Sequence, residues 1–243
     1  MKTPIKLVIF DLGSTLIYEK DDWTPYFPRA DAALWKVLHD AGVRLEPPEL
    51  YGEFDTLFNL YYVQHRNDLD EPTTAAVLDD LLQSKGYSLP DATLRSAMRA
   101  MYAVTQSNWF PERDAIPTLD LLRERGFHIG LISNAADDEN TQALIDKGGF
   151  RPFLEFIVSS AAFGKRKPDP GIFEVALQHF QMPPEQAVMV GDTYEADIVG
   201  GYGIGMNTIW ITRRVSYMPE HLPVEPDVIV TSLSEIPTLL STR

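Results

Sequence analysis

Six short apolar segments, one near the N-terminus and five in the second half, constrain the fold more than any other feature of the sequence. They are Leu7–Phe10, His128–Ile132, Phe156–Ser159, Ala187–Val190, Thr208–Ile211 and Asp227–Val230. Leu7–Phe10 is apolar at every position, which is typical of a strand buried on both faces of a sheet. Helical segments separate several of the later strands, and this alternation indicates βαβ units. The sequence therefore predicts an α/β fold with a mostly parallel sheet.

The second half also contains the helices that such a fold requires. We predict helices over Pro117–Arg125, Thr141–Lys147, Gly171–Phe180 and Ser234–Leu240. Pro117 is a favoured helix opener, and Gly126 follows the end of the same helix. The glycine-rich segment Gly200–Gly205 precedes a strand and does not open a helix, so we interpret it as a turn and not as a dinucleotide-binding loop.

The segment between residues 17 and 108 has a different pattern, with no convincing strand. It contains four helical patterns, at Asp31–Ala41, Pro48–Asn67, Thr73–Lys85 and Asp91–Thr105. Because the strand Leu7–Phe10 can form a sheet only with strands from the second half, the helical segment is an insertion and not an N-terminal domain. We predict a core domain of residues 1–17 and 109–243 and an inserted helical cap domain of residues 18–108.

Composition excludes several other classes of protein. Hydrophobic residues make up 44% and charged residues 23% of the 243 residues, as in soluble globular proteins. No apolar run approaches the length of a membrane span, and the N-terminus lacks a secretory apolar core. The net charge of −14 disfavours binding to nucleic acid or to anionic membranes. With no cysteine for disulfides or thiolate sites, we expect a cytoplasmic protein.

Polar side chains follow four of the predicted strands at their carboxyl ends, where ligands bind in open parallel sheets. They are Asp11, Ser14 and Thr15, then Ser133 and Asn134, then Lys165, Arg166 and Lys167, and finally Asp192 and Asp197. Clustered carboxylates suit a hard cation such as Mg²⁺, whereas hydroxyl, amide and lysine donors suit a tetrahedral anion. An aspartate beside a metal and a lysine can attack phosphorus and form an aspartyl-phosphate.

These segments resemble the four motifs of the haloacid dehalogenase (HAD) superfamily, over nearly the whole chain. The first motif, Asp-x-Asp-x-Thr/Val after an apolar strand, is matched by Asp11-Leu12-Gly13-Ser14-Thr15, and the second by Ser133-Asn134. The third, a Lys often within Lys-Pro-Asp-Pro, is matched by Lys167-Pro168-Asp169-Pro170, and the fourth by Gly191-Asp192 followed by Asp197. The resemblance implies a Rossmann-like three-layer core, and the insertion resembles the helical C1 cap of that superfamily.

The resemblance also implies a role for each matched residue. Asp11 would be the nucleophile and a metal ligand, and Lys167 would neutralise negative charge on Asp11 and on the phosphoryl group. Ser133, Asn134 through its backbone, and Lys167 would bind that phosphoryl group. Asp192 and Asp197 would complete the Mg²⁺ site together with the backbone carbonyl of Gly13. The implied substrate is a small phosphorylated metabolite, hydrolysed by a monomer or a homodimer.

Gly13 departs from the pattern, because phosphatases of the superfamily usually have a second aspartate at this position. Glycine retains the backbone carbonyl that binds the metal but removes the carboxyl group that protonates the leaving group. General acid–base catalysis typically raises a reaction rate by 10²–10⁴-fold, so its loss would slow the hydrolysis of substrates with poor leaving groups most.

Gly13 leaves two alternatives to a phosphatase open. One is a metal-free 2-haloacid dehalogenase, since halide leaves without a proton, although Gly191-Asp192 favours a metal site. The other is a HAD-fold binding or regulatory protein of low activity. For Lys165 and Arg166, we favour a solvated basic turn over a functional role.

Overall fold

In a computed structural model of the chain, residues 3–216, 218 and 221–240 are described. Eight strands form within these described residues: β1 (Leu7–Phe10), β2 (Ile17–Glu19), β3 (Trp109–Pro111), β4 (His128–Ser133), β5 (Phe156–Ser159), β6 (Ala187–Gly191), β7 (Asn207–Ile211) and β8 (Val228–Val230). Six of them form one parallel sheet in the order β5-β4-β1-β6-β7-β8. All six predicted strands are therefore present, with ends that differ by no more than one residue.

In the part of the chain that the structure describes, ten α-helices accompany these strands. They are α1 (Phe27–Asp40), α2 (Pro47–Gln64), α3 (Thr74–Ser84), α4 (Asp91–Gln106), α5 (Ala115–Glu124), α6 (Asp138–Gly148), α7 (Ser160–Phe163), α8 (Pro170–Phe180), α9 (Gly200–Gly203) and α10 (Ile236–Leu239). The last of these follows a 3-10 turn at Leu233–Glu235, so the predicted helix at Ser234–Leu240 is present in two short pieces.

Alternate residues of β1 enter two different hydrophobic clusters, one on each face of the sheet. Val8 and Phe10 pack with residues of α5 and α6, whereas Leu7 and Ile9 pack with residues of α8. All four side chains are fully buried, because helices cover both faces of a parallel sheet. The result is the three-layer, Rossmann-like α/β arrangement that the sequence predicts.

The interpretation of Gly200–Gly205 as a turn is wrong for its first half. Gly200–Gly203 is helical, and a Cβ atom on Gly200 would lie 2.8 Å from the ring of Phe173 and 3.1 Å from the Cα of Pro168. Glycine is therefore required at position 200 for close packing of α9 against α8 and the segment before it.

The helices α1 to α4 bury a third hydrophobic cluster of their own. Its fully buried members include Leu34, Leu38, Leu50, Leu78 and Leu82, one or two from each of the first three helices. From α4, the cluster includes Leu94, Ala97 and Met98. This cluster is distinct from the two that flank the sheet.

A two-stranded antiparallel ribbon lies at the two ends of the helical segment. Ile17 of β2 pairs with Pro111 of β3, and Glu19 pairs with Trp109. The expectation of no strand between residues 17 and 108 is therefore wrong at β2. Among the described residues, no helix is long and apolar enough to cross a membrane.

Candidate active site

The central strand β1 and its two neighbours bring the predicted site residues to one edge of the sheet. Asp11 follows β1, Ser133 ends β4, and Asp192 follows β6. Since β4 and β6 lie on opposite sides of β1, their connections leave in opposite directions and open a crevice at this edge. Asp11, Gly13, Ser133, Asn134, Lys167, Asp192 and Asp197 all line one cavity of about 330 Å³.

Lys167 lies at the centre of the site and is fully buried. Its Nζ donates to Asp11 Oδ1 at 2.7 Å, to Asp197 Oδ1 at 2.6 Å and to the carbonyl oxygen of Ile132 at 2.9 Å. Burial lowers the pKa of the ammonium, but the two carboxylates outweigh it and raise the pKa above its usual range. Lys167 is thus a buried cation whose three N–H donors all have acceptors.

Three carboxylates lie within reach of a single ion. Oxygen atoms of Asp11, Asp192 and Asp197 lie within 4.8 Å of one another. Burial, followed by the negative charges of Asp11 and Asp197, raises the pKa of Asp192 to about 7. The site therefore has more negative charge than Lys167 neutralises, and oxygen ligands of this kind fit Mg²⁺.

Gly191 and a π-helical turn at Tyr194–Val199 explain how Asp197 reaches this group. A Cβ atom on Gly191 would lie only 2.1 Å from Asp197 Oδ2, so only glycine leaves space for that carboxylate. The backbone N–H of Thr193 donates to the same oxygen at 3.0 Å, which fixes the fully buried side chain.

Ser133 and Asn134 play different structural parts in the site. Ser133 is 5% exposed at the end of β4 and lines the cavity. The Asn134 amide bonds the backbone of Lys167 twice, since Oδ1 accepts from the Lys167 N–H at 2.8 Å and Nδ2 donates to its carbonyl at 3.0 Å. The Asn134 side chain therefore positions Lys167.

The wall above Gly13 is formed by Trp109 and Ser14. An added Cβ atom at Gly13 would meet only the Trp109 ring, at 3.9 Å, and Ser14 has a positive φ of 53° that turns the chain sharply after Gly13. Trp109 and Thr193 also line the cavity, although neither is among the site residues predicted from the sequence. Trp109 is about 95 residues from the first motif, and the pairing of β3 with β2 brings it there.

The interpretation of Lys165 and Arg166 as a solvated basic turn is incomplete, because both residues are partly exposed but also bind a neighbouring loop. Lys165 Nζ binds Asp70 Oδ1 at 2.6 Å and the Asp68 carbonyl at 2.8 Å. Arg166 donates to the carbonyls of Asp70 and His65, both at 2.6 Å. Both cations thus bind the loop between α2 and α3, residues 65–73, which is called the α2–α3 loop below. His65, Asp68 and Asp70 also lie close together, and Lys165 forms an ion pair with Asp70.

Comparison with known proteins agrees with this architecture. A family model described as haloacid dehalogenase-like hydrolase matches residues 5–205. The glyceraldehyde 3-phosphate phosphatase of Methanopyrus kandleri is 31% identical over 215 residues, which are 86% of this chain and 84% of that protein. The phosphoserine phosphatase of Thermus thermophilus is 33% identical over 127 residues, 52% of this chain and 49% of that protein.

A solved structure shows the same fold over nearly the whole length. The crystal structure of a 2-haloacid dehalogenase from Pseudomonas syringae pv. Tomato has a TM-score of 0.68 and 26% identity, and the match spans 97% of this chain and 98% of that one. The family match includes β1, β4 and β6, the three sheet strands whose ends form the cavity. The chain therefore belongs to the haloacid dehalogenase-like hydrolase family.

Proposed function

We propose that this hydrolase cleaves a small phosphorylated metabolite and that Asp11 is the nucleophile. The observation that most supports this is the buried contact of Lys167 Nζ with Asp11 Oδ1 beside two further carboxylates. Asp11 is 8% exposed and lines the cavity, so its second carboxylate oxygen is the atom available to a bound substrate.

In the first step, an oxygen of Asp11 attacks phosphorus and the bond from phosphorus to the leaving oxygen breaks. The leaving group takes the electron pair, and the phosphoryl group stays on Asp11 as an aspartyl-phosphate. Ser133, the backbone at Asn134 and Lys167 bind the phosphoryl oxygens and stabilise their charge. In the second step, water attacks this phosphorus, the Asp11 carboxylate is regenerated and inorganic phosphate leaves.

Asp11, Asp192 and Asp197, with the backbone carbonyl of Gly13, are the residues that would hold Mg²⁺. Their fit to a hard cation follows from the excess negative charge and the raised pKa of Asp192. When bound, the ion would supply charge stabilisation for the phosphoryl oxygens.

The absence of a carboxyl group at Gly13 narrows the substrates that we propose. Among the described residues that line the cavity, the carboxylates are Asp11, Asp192 and Asp197, and each is assigned another role. Leaving groups that are stable as anions would therefore react faster than simple alkoxides. The names of the phosphatase relatives support a small phosphorylated substrate without identifying it.

We also propose that residues 18–108 act as a cap over this cavity. Their support is the separate hydrophobic cluster of α1 to α4 and the position of the ribbon β2–β3 at the cavity wall. Cap closure would exclude water from the first step.

We keep the predictions of a cytoplasmic location and of a monomer or homodimer. Cell fractionation would test the first and light scattering the second.

The first experiment is hydrolysis of p-nitrophenyl phosphate with Mg²⁺ and with EDTA. The p-nitrophenolate leaves without a proton, so the assay does not depend on an acid at Gly13. We expect release that requires Mg²⁺ and disappears in Asp11→Asn. Asp40→Asn is the matched control, since Asp40 is an exposed carboxylate that pairs with Lys36 and His39 of its own helix. Absence of release from the wild type under both conditions would contradict the phosphatase proposal.

A second candidate function is 2-haloacid dehalogenation. Gly13 and the similarity to the Pseudomonas syringae enzyme favour it, because halide departs without protonation. Chloride release from 2-chloropropionate in EDTA would identify this activity. If neither substrate reacts, the remaining alternative is a binding protein with this fold.

A further inference from the structure

Glu71 in the α2–α3 loop is a buried carboxylate with no cationic partner among the described residues. It is 8% exposed. Tyr62 donates its hydroxyl to Glu71 Oε1 at 2.6 Å, and Ser160 donates its hydroxyl to Glu71 Oε2 at 2.8 Å. A buried charge is costly unless hydrogen bonds satisfy it, so two short bonds to one carboxylate indicate a constrained position.

Ser160 connects Glu71 to the end of β4. The backbone N–H of Ala135 donates to Ser160 Oγ at 2.8 Å, and this leaves the Ser160 proton for Glu71. Two successive hydrogen bonds therefore link the Glu71 carboxylate, through the Ser160 hydroxyl, to the peptide between Asn134 and Ala135. Ser133, Asn134 and Ala135 all line the cavity.

The same loop also binds the segment that contains Lys167. The N–H of Glu71 donates to the carbonyl of Gly164 at 3.0 Å, and the N–H of Arg166 donates to the carbonyl of Leu69 at 2.9 Å. Asn134 then joins the two branches, because its amide bonds the backbone of Lys167. The α2–α3 loop is thus linked by hydrogen bonds both to the Asn134–Ala135 peptide and to the segment that ends at Lys167. These are the two groups that we propose bind the phosphoryl oxygens.

We propose that Glu71 is a positioning residue for phosphoryl binding, which acts through Ser160 on the Asn134–Ala135 peptide. This inference rests on the proposed function. Glu71 accepts the Ser160 proton, so the Ser160 oxygen presents its lone pairs to the Ala135 N–H. The orientation of that N–H fixes the peptide plane next to Ser133. Without Glu71, the Ser160 hydroxyl can turn to the Ala135 carbonyl, which already lies 3.2 Å away.

The test compares Glu71→Ala, Glu71→Gln and Ser160→Ala with the wild type in two measurements. The first is amide hydrogen exchange of the peptide spanning residues 133–137, which does not depend on activity. The second is the kinetics of p-nitrophenyl phosphate hydrolysis, with inorganic phosphate as a competitive inhibitor. Glu53→Ala and Glu53→Gln are matched controls, because Glu53 is exposed on α2 and pairs with Lys85 away from the α2–α3 loop.

We expect faster exchange at Ala135 in Glu71→Ala, with KM and the inhibition constant of phosphate both raised roughly 3- to 10-fold. The kcat value should change less than KM. Glu71→Gln should restore phosphate affinity to within about threefold of the wild type, since its amide oxygen can still accept the Ser160 proton while its NH2 group donates to the Tyr62 oxygen. A role in stability alone would not separate KM from kcat in this way.

A folded Glu71→Ala protein with wild-type exchange at Ala135 and wild-type affinity for phosphate would overturn the proposal. If Glu71→Ala does not fold, Ser160→Ala carries the same test, because it removes the acceptor of the Ala135 N–H directly. Unchanged exchange in that variant is equally decisive against the proposal. A wild type that does not hydrolyse the phosphate ester contradicts the proposed function instead, and the exchange measurement still decides the positioning role of Glu71.

Discussion

Gly13 has a backbone conformation and surroundings that would accept an aspartate. Its φ lies outside the left-handed region, and an added Cβ atom would be in ordinary contact with the Trp109 ring. We therefore expect Gly13→Asp to fold and to supply the missing acid. Turnover of an alkyl phosphate such as β-glycerophosphate should rise about tenfold or more, whereas p-nitrophenyl phosphate should change little.

The control for this prediction is Gly13→Asn, which has nearly the same shape and no acidic proton. Steady-state kinetics with both substrates measure the effect. Equal gains on the two phosphates, or the same gain in Gly13→Asn, would show that the new side chain acts by some means other than protonation of the leaving group.

Glycine is needed at position 191 because it leaves space for the Asp197 carboxylate, and not because the backbone there has a positive φ. A Cβ atom there would lie 2.1 Å from Oδ2 and 2.2 Å from Cγ of Asp197. Gly191→Ala must therefore displace Asp197 from Lys167 and from the Thr193 N–H. We expect kcat/KM for p-nitrophenyl phosphate to fall roughly 100-fold, the size of effect that a misplacement of about 1 Å can cause. Gly203→Ala is the control, because no heavy atom lies within 4 Å of its added Cβ, and it should keep wild-type activity.

At the scale of secondary-structure elements, the sequence predicts the strands of the sheet because their signal is local. An apolar run such as Leu7–Phe10 shows in the residues themselves that both of its faces are buried. The polar residues after each run then meet at one edge because parallel strands all end there. This geometry explains why the sequence alone predicts that Asp11, Ser133 and Asp192 lie close together.

The ribbon β2–β3 and the α2–α3 loop contacts could not be predicted in the same way. Each ribbon strand has three residues, too few to show a period of two, and its partner is about 90 residues away in the sequence. The contacts of Lys165 and Arg166 join residues that are 95 or more positions apart. A basic turn has the same sequence pattern whether solvent or a distant loop surrounds it, so only the tertiary structure separates the two cases.

Asp114 at the start of α5 connects the loops that follow β7 and β8. Both of its oxygens bind the guanidinium of Arg213, at 2.8 and 2.5 Å, and Oδ2 also accepts from Ser232 Oγ at 2.6 Å. Burial alone would raise the pKa of Asp114, but the hydrogen bonds from Arg213 and Ser232 outweigh it and hold the pKa below its ordinary value. The ionised carboxylate is therefore the form that the folded protein stabilises.

We expect Asp114→Asn to lower the free energy of unfolding at pH 7 by about 1 kcal/mol, since the ion pair is only partly buried. A pKa that is lower in the folded state gives stabilisation that is present above the unfolded pKa, ~3.9, and is lost as the pH falls. The difference between wild type and variant should thus be larger at pH 7 than at pH 3, in urea unfolding at both values. Asp120→Asn, which removes an exposed i,i+3 pair with Arg123, should change stability less, and a difference that grows toward acid pH would contradict the assignment.

At the scale of the whole molecule, the helical segment and the sheet have separate hydrophobic clusters that are joined at several places. The ribbon β2–β3 is one junction, α4 against α6 is a second, with Arg99 paired to Glu139, and the α2–α3 loop is a third. Leu69 of this loop has a positive φ of 61°, an unfavourable conformation for leucine that the surrounding contacts must maintain. The junction at the α2–α3 loop therefore has a defined backbone geometry. It lies next to the residues that we propose bind phosphate.

Arg166 is the residue whose removal should loosen this junction with least disturbance of either hydrophobic cluster. Its guanidinium donates to the carbonyls of His65 and Asp70 and lies 5.2 Å from the centre of the Tyr62 ring. Without it, the α2–α3 loop keeps the Lys165 contacts but loses two hydrogen bonds to the core. We expect Arg166→Ala to speed cleavage of the loop by thermolysin at least threefold, an effect of roughly one hydrogen bond in the free energy of local opening.

Arg44→Ala is the matched control, because Arg44 also donates to two backbone carbonyls but both belong to the helical segment. Orthophosphate with Mg²⁺ should slow cleavage in the wild type, since a ligand that binds the closed arrangement stabilises it. The same ligand should protect Arg166→Ala less, because the loop then no longer contacts the core fully. Equal cleavage rates for Arg166→Ala, Arg44→Ala and wild type would mean that the ribbon and α4 alone hold the helical segment against the sheet.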